Sequence, residues 1–577
     1  MGDPDTALRA VDRPTRGSFL ALRARSRMLD RYPSNVRRLL YSGIVVLSTV
    51  TLFYEFSVAG SVGPSIISQF HMTFNFYVYV AVASSLAGAV ASLLAGLADR
   101  WGRAGLVSYG LVVTGLITLF GLPNAPDKWV FLALFSVLGF AQGVVLVASS
   151  ALIRDFSPQV QRASAMAFWS LGPVLGSLIV AEVSSHTLEH LVPWQDQFTI
   201  CGVAGLGVAA VACLFLRELS PQLRDQLMVS SNERVLIESR AAGIDVSAAT
   251  AHPWRQMLHL DILGSAFGIS AFLLIYFVAV GFFVIYFTTV FGFTQAQANA
   301  ITNWFWAFEG GTLVLVGLLS DRLRVRKPFI AIGAIGAIVM TIVFTTRASR
   351  PDTSYSTLVV IVAILAVMLG LVAGPWMAAF TETVERRNPA LTATGMAIWG
   401  WVSRIMIAAS TFVLPFVVTG ATPLVNYGAQ VQALSVKYAP QLATAEALSR
   451  TTMAALAKDP TNPAAQAAAI AEVERGLHVA APQAITRLVA LTKVPKADLS
   501  YLTAHGPSVQ AAATASPGQW QRWFWVCVGG EILFLPSIFV LAGRWRPSRA
   551  RQDERHRELA VREDLAEVVH DRTAIAV

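Results

Sequence analysis

Charge is scarce in this chain. Charged residues fill 14% of its 577 positions, against about 25% in an ordinary globular protein. Hydrophobic residues make up 55%, and mean hydropathy is +0.56. A surface so poor in charge excludes a dissolved globular protein, and the same apolar content excludes disorder over most of the length. Cysteine is nearly absent. The three present, Cys201, Cys213 and Cys527, all fall inside apolar runs, which excludes a disulfide scaffold and reads as inert packing. Lysine is sparse and never follows a glycine, so there is no P-loop, and ATP-driven pumping by this chain alone is not expected. None of the nine histidines falls mid-run, which argues against a histidine proton relay.

Arginine, in contrast, is plentiful and sets the net charge of +9. A basic excess can serve nucleic acid or an anionic membrane surface. Here the arginines stand beside apolar runs and form no basic domain of their own, so no nucleic-acid partner is expected.

A helix needs about 20 apolar residues to cross a bilayer. Apolar runs lie near 39–66, 75–98, 104–122, 128–153, 163–184 and 197–216, then near 261–291, 298–319, 328–346, 355–379, 391–418 and 522–543. Helix is the open structure that crosses lipid with its backbone satisfied. The expected fold is therefore an all-α membrane protein of about twelve transmembrane helices in two six-helix bundles. The expected divisions are a basic tail (1–38), a first bundle (39–216), a linker (217–260), five helices of a second bundle (261–419), an insertion (420–521), a last span (522–543) and a second basic tail (544–577). The bilayer itself is thus a partner. No cleavable signal peptide is read, since the first apolar run is too long and too far from Met1. The Met1-Gly2 and Thr6 match to a myristoylation pattern is treated as chance.

Arginine placement sets the orientation. Both tails, the 217–260 linker and the loops carrying Arg100 and Arg103, Arg154 and Arg162, Arg322 to Lys327, and Arg386 with Arg387 share one side. The opposite loops offer only Lys128, Arg347 and Arg350. Both termini are therefore expected in the cytoplasm, in a multi-pass protein of the cell membrane. Residues 420–521 are expected outside it. That stretch is rich in alanine, is punctuated by Pro460, Pro463, Pro482, Pro495 and Pro507, and reads as a small helical cap.

The halves repeat each other. The second run ends in Ala95-Gly96-Leu97-Ala98-Asp99-Arg100-Trp101-Gly102-Arg103, and the eighth in Gly317-Leu318-Leu319-Ser320-Asp321-Arg322-Leu323-Arg324. Ala163 to Trp169 echoes Ala393 to Trp399, and Tyr54 and Tyr276 hold matching places. Duplicated six-helix units are a transporter signature, with the ligand site at their interface. These residues resemble the major facilitator superfamily over nearly all of 38–545 apart from the insertion. The family's loop signature after its second helix is matched by Asp99, Arg100, Gly102 and Arg103, with Ala95 and Ala104 as departures. The second copy is matched by Gly317, Asp321 and Arg322, with Arg324 in place of glycine. The resemblance implies a cytoplasmic gate that pairs across the bundle in one state. Gly172-Pro173-x-x-Gly176 resembles the core of an antiporter motif, and it is also a helix-packing pattern. The family's fourth-helix signature has an arginine three residues before Gln142-Gly143. Gly139 stands there, which speaks against the usual drug–proton antiporter.

Ionisable residues deep in lipid are costly and mark function. Glu55, Glu309, Arg404 and Glu531 are those near mid-depth. Burial disfavours a charged carboxyl, so a proton can be carried there. Glu309 and Glu55 are the candidates for proton coupling, because Asn303, Trp306 and Glu309 share a helical face and Glu55 follows Ser48 and Thr51. Arg404 is read as a carboxylate clamp, the alternative being an internal pair with Glu309 or Glu55. Glu531 is read as structural. Tyr54, Tyr276, Trp306 and Trp399, with Asn303, Arg404 and Glu55, are the candidate substrate contacts. His186-Thr-Leu-Glu189-His190 fits a zinc-protease pattern, but it sits in a short loop with no domain around it. No catalytic site, metal or cofactor is expected, and the expected form is a monomer. The expected function is secondary active transport of a small organic solute, with an anion favoured by Arg404 and protons as the coupling partner. The alternatives are a multidrug/proton effluxer and a non-transporting receptor or scaffold.

Overall fold

The computed structural model describes residues 27–93, 102–157, 168–190, 193–220, 223, 253–323, 325–387, 392–542 and 544–548. Where it is described, each apolar run winds into helix, since lipid offers the backbone no partner. The first half holds α1 (Asn35–Ser61), α2 (Phe74–Leu93), α3 (Arg103–Leu116), α4 (Lys128–Phe156), α5 (Gly172–Thr187) and α6 (Gln195–Phe215). In the second half, α7 runs Leu260–Phe272 and, past Leu273, Leu274–Phe291. It is followed by α8 (Gln295–Leu323), α9 (Lys327–Ala348), α10 (Tyr355–Arg387), α11 (Thr392–Val417) and α12 (Lys496–Val540). Among the described residues, 11 helices are long and apolar enough to cross a membrane. The twelfth long helix, α8, has 29 residues but interrupts its apolar run with Asn299, Asn303 and Glu309.

Hydropathy places the last span over 522–543, after an insertion to 521. The two are joined without a break: α12 is one helix of 45 residues that starts at Lys496 and contains Pro507, Pro517 and Pro536. At about 1.5 Å per residue it reaches well over twice the bilayer core of about 30 Å. Its first half is polar enough for water and carries the insertion. There Val431, Leu434 and Tyr438 pack on Leu502 and Val509, and the Tyr438 hydroxyl donates to Asp498 at 2.7 Å. Pro507, which removes a backbone N–H from the helix, falls between Leu502 and Val509 of this cluster. Four further short helices, Ala439–Glu446, Arg450–Lys458, Pro463–Leu477 and Ala481–Thr492, complete the cap around Leu448, Ala469, Val473 and Ala484.

Within the first bundle, α2 packs on α4, α3 on α4 and α6, and α1 on α5. The second bundle sets α8 and α9 on α10, and α7 and α9 on α12. The bundles meet along three seams, α5 with α8, α2 with α11, and α1 with α7. At the end opposite the insertion, β1 (Met28–Leu29) pairs in parallel with β2 (Glu218–Leu219) and ties the chain before α1 to the segment after α6. Arg27 donates to the Cys213 carbonyl at 2.9 Å beside this pair.

Glycines let α2 and α4 approach closely. A Cβ at Gly139 would lie 2.2 Å from Ser84 Oγ, and one at Gly143 would lie 2.4 Å from the Gly88 carbonyl. The α2–α4 contact therefore leaves no room at 139 for an arginine, which accounts for that departure from the family pattern.

Candidate functional site

Between α1, α5, α7 and α8 lies a cavity of about 20 Å³, room for about one water. Its polar lining is Ser57, Ser61, Ser177, Asn299, Thr302 and the Trp306 side chain, and the remainder is small and apolar. Helical spacing brings Ser57 and Ser61 to one face of α1, where Ser57 Oγ lies 3.4 Å from Ser177 Oγ of α5. Ser184 donates to Ser61 Oγ at 3.0 Å. Among the described residues, no charged side chain lines the cavity.

Toward the insertion end the cavity is shut by hydrogen bonds that cross between the bundles. Asn299 Nδ2 donates to the Ser61 carbonyl at 2.9 Å, a group in the last turn of α1 with no partner in its own helix. Gln295 Nε2 donates to Ser65 Oγ at 2.6 Å. Phe74 N, at the start of α2, donates to Thr422 Oγ1 at 2.8 Å, and Asn426 Nδ2 donates to the Met72 carbonyl at 2.9 Å. The first residues of the insertion thus cap α2 across the seam. Tyr79 stacks on Phe412 at 5.6 Å, and a Cβ at Gly60 would lie 2.7 Å from the Val280 carbonyl.

The residues singled out from sequence fall into separate places. Tyr276, Trp306 and Glu309 come together. The two rings meet edge to face at 5.3 Å, and the Glu309 carboxylate lies close enough to Tyr276 to interact electrostatically. The shared face expected for Asn303, Trp306 and Glu309 is divided. Trp306 lines the cavity, while Glu309 is 2% exposed and sits one turn further on, where α8 packs closely on Gly370 of α10. Its Oε2 has no hydrogen-bond partner among the described residues. Asn303 turns to the α5–α8 seam and donates to Glu182, a span carboxylate the sequence reading passed over. Glu182 is half exposed and also lies 3.6 Å from His186.

Glu55 and Tyr54 face away from the cavity. Glu55 is fully buried between α1, α3 and α6, pressed against Gly205, where a Cβ would lie 1.9 Å from its Oε1. Thr114 is within interaction range, but its hydroxyl donates to the Leu111 carbonyl at 3.2 Å, and neither Glu55 oxygen has a hydrogen-bond partner among the described residues. Tyr54 points the same way, toward Cys201 of α6. Glu531 accepts from Thr341 of α9 at 2.7 Å. Arg404 meets neither acid in the contacts described. Its Nη1 donates to the Gly88 carbonyl of α2 at 3.2 Å, across the α2–α11 seam. Trp399 lies 5.8 Å from Trp376 within the second bundle.

Of the gate signature, Asp99, Arg100, the Asp321 side chain and Arg324 lie outside the described residues. Gly102 turns with φ +83°, and a Cβ there would lie 2.5 Å from Glu218 Oε1. Glu218 in turn accepts from Ala104 N at 3.2 Å and so caps α3, a favourable place for an anion. Arg103 grips both oxygens of Asp155 at 2.7 and 2.8 Å. In the second copy Arg322 is exposed, a Cβ added at Gly317 would meet nothing among the described residues, and the nearby Arg326 pairs with Glu382 at 3.3 Å. Gly172 and Gly176 bring α5 onto α1. A Cβ at Gly176 would lie 2.7 Å from Phe53 Cβ, and Pro173 opens the helix between them. Among the described residues, no group of three or more histidine, cysteine or acidic side chains is arranged to hold a metal.

Comparison with known proteins matches residues 45–411 to the model of the Major Facilitator Superfamily. The chain is 29% identical over 153 residues to "Multidrug resistance protein MdtL" of Shewanella oneidensis, covering 26% of this chain and 36% of that protein. It is 25% identical over 280 residues to "Probable anion transporter 4, chloroplastic" of Arabidopsis thaliana, covering 46% and 52%. It therefore spans only about a third to a half of the length of these curated relatives. An inward-facing, unoccupied bacterial homolog of the human lysosomal transporter Spinster superposes with a TM-score of 0.53 at 15% identity, over 89% of this chain and all of that one. A D-xylose–proton symporter superposes with a TM-score of 0.51 at 13% identity, over 66% and 90%. At these identities the likeness is one of fold.

Proposed function

The chain belongs to the Major Facilitator Superfamily, and from that premise we propose that it is a secondary active transporter that carries a small organic solute through the seam between its bundles. One observation carries this reading. The polar cavity lies where the two halves meet, and it is sealed on one side by hydrogen bonds made between the halves. With room for about one water it admits no solute as it stands, so binding requires the bundles to part. Rigid-body rocking of repeats about a fixed site supplies that motion.

We assign proton coupling to Glu309 in preference to Glu55. Glu309 stands one turn from Trp306 of the cavity, whereas Glu55 is enclosed by its own bundle. An organic anion is the favoured substrate class, read by Arg404 once the α2–α11 seam opens. Its planar fork suits a carboxylate or phosphate, and the cavity hydroxyls and Asn299 read the rest by hydrogen bonding. A multidrug/proton effluxer is the second reading, favoured by the Gly172-Pro173-Gly176 contact. The arginine bias favours a cell membrane location with both termini cytoplasmic and the insertion outside. The expected partners are the solute and protons, with the monomer as the working unit.

The test is counterflow in proteoliposomes holding a panel of organic anions, neutral polyols and lipophilic cations, with and without a pH gradient. Saturable exchange of anions, driven uphill by the gradient, supports the reading. Exchange confined to lipophilic cations supports the effluxer, and the absence of any exchange contradicts transport.

A further inference from the structure

At the end opposite the insertion, a second cavity of about 350 Å³ opens between the start of α7 and the ends of α10 and α12. Its lining combines Asp261, Arg386 and Arg387 with Thr383, Val540 and Ala542. Asp261 is engaged by Arg387 at 2.9 Å. Arg386 has no hydrogen-bond or ion-pair partner among the described residues, and it is exposed. Lys327, at the first turn of α9, is 8% exposed and close enough to Arg386 for the two charges to repel. Its ammonium donates to the Phe539 carbonyl at 3.2 Å and lies 5.9 Å over the Trp545 ring. Among the described residues the lining thus sets Arg386 and Arg387 against one carboxylate, Asp261, with Lys327 standing just outside it, and the Arg386 charge has no described partner beside an open cavity. Such an arrangement is unfavourable unless an anion completes it.

The rim identifies the anion's other half. Leu260 is 86% exposed, Phe539 73% and Val540 51%, and all three stand at the ends of spans beside the basic cluster. A soluble phosphate gains nothing from such a rim, whereas acyl chains cover it. Basic pockets between spans at interfacial depth are suited to anionic headgroups. We propose that this cavity holds the phosphate of an anionic phospholipid, with Arg386 and Lys327 as its cationic contacts and Leu260, Phe539 and Val540 against its chains. Thr383 is not a donor to it, since its hydroxyl already donates to the Ala379 carbonyl at 2.7 Å and accepts from Ala542 N. This site is distinct from the cavity between the bundles and does not rest on the transport reading.

The test uses the purified full-length protein in a neutral detergent, titrated with dioleoylphosphatidylglycerol, dioleoylphosphatidylcholine or glycerol phosphate while thermal unfolding is followed. A ligand that binds only the folded state raises the midpoint. Phosphatidylglycerol should raise it saturably, and the other two should not. Arg386→Gln should weaken the apparent affinity for phosphatidylglycerol about fivefold, the effect of one interfacial charge. Lys327→Gln should do the same, and Arg255→Gln, at an exposed arginine outside the cavity, should not. Because Lys327 is buried, the exposed Arg386 carries the test if the lysine variant fails to fold. Unchanged phosphatidylglycerol stabilisation in Arg386→Gln would overturn the site. Equal stabilisation by glycerol phosphate would overturn the lipid as its occupant.

Discussion

Removing the Asn299 side chain should open the cavity toward the insertion end. Asn299 is 1% exposed, and its amide donates both to the Ser61 carbonyl at 2.9 Å and to the Gln295 carbonyl of its own helix at 2.8 Å. The first bond exists only while the bundles are closed at that end. When they part, the α1 carbonyl and the amide both turn to water, so the bond contributes its net value and not its gross one. That value is about 1 kcal/mol. Asn299→Ala should therefore raise the population open at the insertion end about fivefold, since each 1.4 kcal/mol is tenfold in an equilibrium. Adding Gln295→Ala removes the 2.6 Å bond to Ser65 as well. The pair should give an increase of between about fivefold and 25-fold, the range reflecting that neighbouring sites need not add. The assay places a cysteine at Ser177, in the cavity lining, with Cys201, Cys213 and Cys527 replaced by alanine. Reaction with a membrane-impermeant thiol reagent is then timed on intact cells. The rate should rise in step with the open population. An unchanged rate in the double variant would refute the closure mechanism, because no other role of these two amides predicts access to Ser177.

Glu309→Gln should abolish gradient-driven accumulation in proteoliposomes while keeping substrate exchange. If Glu55→Gln does so instead, the proton site belongs to the first bundle. Arg404→Lys should weaken binding of an anionic substrate and Arg404→Ala should nearly abolish it, a loss of about 2–5 kcal/mol for a charge-assisted pair. A neutral or cationic ligand whose affinity survives Arg404→Ala removes the anion assignment. Single cysteines placed at exposed positions in 440–492 should react with an impermeant maleimide on intact cells, and protection there would reverse the topology.

The twelve long helices were legible because lipid allows one backbone solution per apolar run. The limits of that reading are also physical. Hydropathy marks where lipid begins, not where helix begins, so it could not see that α12 continues for 26 residues before its apolar part. Residues with conspicuous chemistry were found, yet several do not face the cavity. Glu55 and Arg404 stood out because charge in lipid is rare, but periodicity does not say which neighbour a helix face meets. The cavity is lined instead by Ser57, Ser61, Ser177 and Thr302, and membrane helices carry such small polar residues everywhere. Asn299 and Gln295 were missed because they lie near the start of α8, where polar residues read as an interface. Glu218 and Asp155 sit at span ends and look like solvated loop charges until α3 and Arg103 are placed against them. The Gly102 turn and the close approach at Gly176 were the features whose geometry followed from residue type, since a Cβ is excluded at both.

The central claim is that the two bundles rock about the cavity between them. Spin labels at Pro126→Cys in the first bundle and Asp352→Cys in the second, both at the insertion end, measure that motion directly. The account predicts two distance populations in lipid, with Asn299→Ala shifting weight toward the longer. A single distance that neither Asn299→Ala nor a change of pH alters would contradict it.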